Sequence, residues 1–250
     1  MAGIGLGVTL DAIAFVRESR KAREPDPVPF AFLAEQAGAR AINVHLRMDR
    51  RHVQERDVSL LKETVKTELN LVAAASQEIT RIALTFKPHR VTFVPERVEN
   101  PGGELSSLGL DVILNSTPLR QLVRMLQEGA ISCSVFVEPD LDQVKEAHRI
   151  DLQGVWLSTE AYNAARDKET TAKELRRLGD AARLAAKFGM TVAVGHGLSL
   201  RNLDPILELQ GIDRVNVGFS LVSRALIVGF ERAVTEMVEA IARAPVPPAR

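Results

Sequence analysis

AINVHLRMDRRHVQERDVSLLKETVKTELNLVAA, residues 41–74, holds one complete structural repeat. AINVHL (41–46) is short, apolar and β-branched and predicts a strand, as does ELNLVAA (68–74). Between them DVSLLKETVK carries apolar residues three and four apart, the spacing of one helix face. Parallel strands need a crossover connection, usually a helix, and this segment has that form.

The pattern recurs along the chain. Strand-like runs fall at 5–10, 41–46, 68–74, 90–96, 131–138, 154–159, 191–197 and 214–219, eight in all, with helical stretches between them. The runs read as continuously apolar, which implies burial on both faces, and eight βα units close a parallel sheet with no free edge. The expected fold is therefore α/β, a (β/α)8 TIM barrel over residues 1–244, followed by a loose Pro-rich tail at 245–250. Asp26–Pro27 and Thr117–Pro118 are read as helix starts, and Gly38, Gly129 and Gly189 as helix stops. The connection at 97–115 is long and glycine-bearing, as a loop that covers a site often is.

Composition narrows the function. With 46% hydrophobic and 26% charged residues, the 250-residue chain is an ordinary globule with material for a large core. Lys plus Arg equals Asp plus Glu at 32 each, with one Trp and one Tyr, so neither a basic footprint nor a stacking platform for nucleic acid is present. Cys133, the single cysteine, lies in ISCSVFV and is expected as a small buried thiol in a reducing compartment. Asp11 interrupts the apolar N-terminus, no basic residue precedes it, and no apolar run reaches membrane-spanning length. A cytoplasmic protein with no membrane partner is expected.

In a (β/α)8 barrel the chemistry collects where the strands end and the following loops begin. Those positions hold Asp11, His45, Arg47, Val72, Pro95, Glu96, Glu138, Ser158, Thr159, His196, Gly218 and Phe219. HLRMDRRH is thus the second βα-loop, aimed at the barrel mouth. His45 and His196, from opposite sides of that mouth, are candidates for general acid–base work near neutral pH. Arg47, two residues beyond His45, is a candidate anion clamp, whereas Arg50, Arg51 and Arg56 read as a solvated helix face. VGHGLS and VGFSLVSR put glycines at the seventh and eighth strand ends, where backbone N–H groups and a helix N-terminus commonly hold a phosphate.

GVTLDAIAFVRESR, PDPVPFAFLAEQAGARAINVHLRMDRRHV, TELNL, FKPHRVTFVPE, VAVGHGLS and VNVGFSLVSRAL, in this order, resemble the pyridoxine 5′-phosphate synthase family, the enzymes that close the vitamin B6 ring. The resemblance spans nearly the whole chain, and VHLRMDRRH is its most specific part. It implies a barrel with extra helices that assembles from dimers into a homo-octamer. The implied reaction condenses 1-deoxy-D-xylulose 5-phosphate with 3-amino-2-oxopropyl phosphate, with no metal or organic cofactor. It also implies His45 as proton acceptor and His196 as proton donor. Asp11, Arg47 and His52 would contact the pentulose phosphate, and Arg20, Gly197 and Gly218, with the adjacent Phe219, the amino-ketone phosphate.

The chain departs from the family pattern at the mouth. Where the family's first strand ends Asn-x-Asp-His, this chain has Thr9, Leu10, Asp11 and Ala12. Asn-Leu-Glu on the third strand is here Asn70, Leu71 and Val72, so a catalytic carboxylate is missing. Gly102 is nearest to a threonine of the fourth loop. Glu-x-His-Thr-Gly on the sixth strand is here Trp156 through Glu160, with Ser158 and Thr159 between, and a Gly-His pair after the eighth strand is Gly218–Phe219. Ionisable or hydrogen-bonding groups have become apolar or smaller. Three readings follow: a synthase-like enzyme of altered or reduced activity in which water or Glu138 substitutes for the lost carboxylate; a paralogue acting on another phosphorylated carbonyl compound; or a non-catalytic phosphate-ligand binder or assembly partner.

Overall fold

The computed structural model of the chain describes residues 3–95 and 109–243. Eight parallel strands close into a barrel in chain order. They are β1 (Gly5–Thr9), β2 (Ala41–His45), β3 (Glu68–Ala74), β4 (Arg90–Val94), β5 (Ser132–Val137), β6 (Gly154–Ser158), β7 (Thr191–Gly195) and β8 (Arg214–Val217). Pairing of Leu6 with Val215 and Val8 with Val217 closes the ring. Around it run α1 (Asp11–Ser19), α2 (Pro27–Gln36), α3 (Glu55–Thr64), α4 (Gln77–Phe86), α5 (Ser116–Glu128), α6 (Leu141–Arg149), α7 (Glu160–Ala164), α8 (Lys168–Lys187), α9 (Asp204–Leu207), α10 (Phe219–Val228) and α11 (Phe230–Ala242). Among the described residues no helix is long and apolar enough to cross a membrane.

Alternation along each strand sends one set of side chains outward, under the helices. Ile42, Val44, Leu69, Leu71, Val91, Phe93, Val135, Val192 and Val194 are completely buried there. Each such side chain contributes about 1.5–3 kcal/mol on burial. Cys133 belongs to this core, and burial pushes its thiol up to about 12.

The inward set corrects the continuously apolar reading, because most of the strands carry a polar residue at mid-length. Asn43 donates from Nδ2 to Asn216 Oδ1 (3.2 Å), and Asn70 Nδ2 donates to Asn43 Oδ1 (2.9 Å). Thr92 Oγ1 donates to Asn70 Oδ1 (2.8 Å) and lies 2.7 Å from Ser134 Oγ. This chain of hydrogen bonds crosses the barrel interior from β8 to β5. Nearer the N-terminal ends of the strands, Glu68 Oε1 accepts from Arg90 Nε (3.1 Å) and Arg214 Nη1 (2.6 Å).

The helix boundaries follow local chemistry. Asp26 caps α2, its carboxylate accepting from the Val28 N–H (3.0 Å). Gly38 and Gly189 follow helix ends with φ of 100° and 74°. Thr117–Pro118 is not a start: α5 opens at Ser116 with Asn115 as cap. The long helical stretch 220–242 breaks at Gly229, whose φ of 84° ends α10 and opens α11. Two short helices not expected from the periodicity, α1 and α7, begin just after β1 and β6. Most of the 97–115 connection, with Glu96 and Gly102, and the 245–250 tail lie outside the described residues.

Candidate active site

β2 ends at His45, and the loop after it brings His52 back beside that residue. Its anchor is an ion pair beneath it: Arg17 of α1 donates to both carboxylate oxygens of Asp57 (2.8 and 2.7 Å) and, through Nη2, to the His52 carbonyl (3.0 Å). Asp57 also accepts from the Gln54 N–H (2.9 Å), which starts α3. His52 is thereby buried, 5.8 Å from His45 between ring centroids. Arg47 is buried too, gripping Asp49 through Nε and Nη2 (3.0 and 3.1 Å). Those bonds hold the Asp49 carboxyl well below the usual carboxylate range. An anion reaching Arg47 therefore meets a guanidinium already oriented by a carboxylate. Arg50 pairs with Glu55 and Glu78, and Arg56 with Asp26, so these cations serve the loop and its helix.

His45 is 2% exposed, and its Nε2 finds no hydrogen-bond partner among the described residues. Burial, then the neighbouring His52 and Arg47, push its imidazole down to about 3, so at neutral pH it keeps a lone pair. Its backbone N–H donates to Asp11 Oδ1 (2.8 Å), which ties the start of α1 to the end of β2. Burial raises the Asp11 carboxyl, and the adjacent His52 partly offsets that rise.

His45 stands in register with Val72 on β3. Val72 packs with Val94, Phe136 and Trp156 in a small apolar layer of its own, separate from the outer core. Phe136 lies edge-on to Trp156 at 5.8 Å and 6.2 Å from the His196 ring. With valine at the position where the family pattern has a glutamate, the two histidines thus border one apolar layer. Beneath it a cavity of about 80 Å³ is lined by Glu68, Asn70, Arg90, Thr92, Trp156 and Asn216 among others, and by neither histidine. Trp156 Nε1 is buried with no partner among the described residues.

β7 ends at Gly195, two residues short of the expected boundary, so His196 and Gly197 form a turn with φ of 94° and 78°. Thr159 holds that turn: its N–H donates to the Gly195 carbonyl (3.0 Å) and its hydroxyl to the His196 carbonyl (2.6 Å). A Cβ on Gly197 would stand 2.4 Å from Asn163 Nδ2. β8 likewise ends early, leaving Gly218 as the cap of α10 and Phe219 as its first residue, 79% exposed. A Cβ on Gly218 would meet Thr9 Cβ at 3.0 Å, which brings the ends of β1 and β8 together. α10 begins directly after β8, so its N-terminus lies at the strand-end face of the barrel, with the Leu221 N–H bonded to the Gly218 carbonyl (3.0 Å).

Asp11, His45, Arg47 and His52 thus share one side of the mouth, while His196 and Gly197 lie on the other. Arg20 stands apart, exposed at the C-cap of α1, the far end of that helix from Asp11. Glu138 has its Oε1 on the Gly109 N–H (3.0 Å), at the foot of the fourth loop. Sequence reasoning passed over Glu160 as a site residue: its Oε2 lies 3.2 Å from His196 Nε2. A charged residue directly after a strand-end Ser-Thr pair was the available signal.

A profile of the pyridoxal phosphate biosynthesis protein PdxJ matches residues 6–243, from β1 through α11. The chain belongs to the PdxJ family. Among PdxJ relatives, the pyridoxine 5′-phosphate synthase of Pelobacter propionicus is 46% identical over 237 residues, covering 94% of this chain and 98% of that protein. The pyridoxine 5′-phosphate synthase of Trichodesmium erythraeum is 44% identical over 236 residues, covering 94% and 97%. Among solved structures, KGPDC from Streptococcus mutans superposes with a TM-score of 0.62 at 11% identity over 97% of this chain and 99% of that one. Phosphoribosylanthranilate isomerase from Thermotoga maritima gives 0.58 at 11%, over 96% and 99%. These two likenesses concern the barrel alone. This PdxJ member is a pyridoxine 5′-phosphate synthase-like protein whose mouth carries Val72 and Trp156 in the apolar layer.

Proposed function

We propose that this chain condenses 1-deoxy-D-xylulose 5-phosphate with 3-amino-2-oxopropyl phosphate more slowly than relatives carrying the glutamate that Val72 replaces. Two phosphates enter and the product keeps one, so ring closure expels inorganic phosphate as well as water; carbon and nitrogen must lose protons while departing oxygen gains them. In this reading His45 is the acceptor and His196 the donor. Asp11, Arg47 and His52 hold the pentulose phosphate, while the N–H groups at Gly197, Gly218 and Phe219 take the amino-ketone phosphate. The observation that carries the reading is the state of His45: buried, neutral at pH 7, with Nε2 unpartnered among the described residues. A histidine kept only for packing would be expected to have its polar atoms satisfied.

The apolar layer of Val72, Phe136 and Trp156 favours a second reading, a less polar phosphorylated carbonyl compound at the same histidines. Exposed Phe15 and Val16 on α1 and Leu226 and Ile227 on α10 support the homo-oligomer expected of the family. The site is read as cytoplasmic. The deciding experiment follows pyridoxine 5′-phosphate formation from the two family substrates with wild type and His45→Gln. Slow product formation abolished by His45→Gln supports the first reading. Saturable substrate binding without product supports the second reading or a non-catalytic binder.

A further inference from the structure

Two consecutive residues grip His196 at opposite ends. Thr159 holds its backbone carbonyl, and Glu160, the first residue of α7, brings Oε2 to 3.2 Å from Nε2. The Glu160 N–H donates to Ser158 Oγ (3.3 Å), which fixes the start of α7 against the end of β6. His196 has a φ of 94°, a conformation that costs a non-glycine residue on the order of 1–3 kcal/mol and persists only where surroundings enforce it. The imidazole therefore leaves the backbone in one fixed direction, toward a carboxylate on one side and Phe136 on the other. The family pattern has glycine at this position, so the carboxylate is a feature of this chain, which has lost the one at position 72.

We propose that Glu160 is a positioning residue for His196. Its carboxylate accepts a hydrogen bond from Nε2–H, so the neutral ring keeps its lone pair on Nδ1 and the protonated ring presents Nδ1–H to the substrate. In the donating step the Nδ1–H bond breaks, its electron pair stays on Nδ1, and the proton forms an O–H bond on the departing substrate oxygen. Glu160 takes no proton in this step and orients the ring, the part a buried aspartate plays beside a catalytic histidine in hydrolases. The turnover part of this inference rests on the proposed synthase reading. The tautomer part does not.

The test uses full-length protein labelled with 15N-histidine, with His196→Asn to assign the signal. Long-range 15N–1H spectra at alkaline pH are expected to show wild-type His196 as the Nε2–H tautomer alone. E160A should give a mixture, E160Q should retain Nε2–H through its amide oxygen, and E160K, which sets a donor against Nε2, should drive the ring to Nδ1–H. In turnover, E160A is expected to lower kcat at least tenfold with KM for both substrates changed less than twofold, and E160Q to recover part of the loss. A wild-type ring in the Nδ1–H or mixed form, or a tautomer unmoved in both E160A and E160K, overturns the proposal. A fixed Nε2–H tautomer in a wild type that makes no product upholds the positioning and overturns the synthase reading instead. Circular dichroism checks that each variant folds; side-chain exposure of 35% at Glu160 leaves room for all three.

Discussion

His45 and Val72 are register partners on adjacent strands, both directed into the barrel, and the imidazole Nε2 has no partner among the described residues. A carboxylate at position 72 would therefore stand beside His45. Loss of one positioned acid–base group typically costs about 10²–10⁴ in rate. Wild type is expected to form pyridoxine 5′-phosphate more than tenfold slower than a relative with the complete motif. Val72→Glu alone buries a charge among Phe136 and Trp156 and should lower stability. The combined Thr9→Asn, Ala12→His, Val72→Glu, Phe219→His variant should regain rate beyond the product of its single effects. Parallel assays of product formation check both statements.

Acid should weaken the fold through His45. Unfolded, the imidazole titrates near 6.5; folded, near 3. Between those values the unfolded chain holds the extra proton, so this group's contribution is complete above about pH 6.5 and is lost as pH falls toward 3. The slope is at most about 1.4 kcal/mol per pH unit for one group. His52, also lowered by burial, acts in the same direction, whereas Asp11, raised by burial, opposes it. Urea midpoints measured from pH 7 to pH 4 should fall in wild type and fall less in His45→Gln.

Trp156 offers a test of the apolar layer. Its buried Nε1 has no partner among the described residues, so Trp156→Phe removes an N–H whose burial costs about 1–3 kcal/mol while keeping most of the ring. The variant is expected within about 1 kcal/mol of wild type, or more stable. Trp156→Ala instead opens a hole and should cost about 3–5 kcal/mol. Chemical denaturation of the two variants separates these outcomes.

Gly197 tests the turn. Its φ of 78° disfavours any side chain, and a Cβ would collide with Asn163, whose Oδ1 accepts from Asn202. Gly197→Ala should destabilise by more than about 1 kcal/mol and raise KM for a phosphorylated substrate. Thermal melts and steady-state kinetics report the two effects.

The barrel was legible because its outward strand positions carry Val, Ile, Leu and Phe in short runs, and outward burial is what β-branched runs report. His45, Arg47 and His52 were legible because one strand and its loop carry all three. The polar interior was not: a single Asn43, Asn70 or Thr92 in an apolar run does not register as alternation, although each is the inward residue. α1 was missed for the opposite reason. Phe15 and Val16 stay exposed while Ile13 and Ala14 are buried, so the segment lacks a polar face to mark its period. The His196–Glu160 approach joins residues that follow different strands, 36 positions apart, so the charge after Ser158–Thr159 marks Glu160 but not its partner.

The hydrogen bond from Asn43 to Asn216 spans 173 positions, and that span sets the order of events on the ribosome. An emerging polypeptide displays the Asn43 amide long before its partner is synthesised. Until residue 216 has left the exit tunnel, the ends of the sheet cannot join, and the half-made sheet keeps two raw edges. Release of the last strand is then the moment at which those two edges can pair with each other.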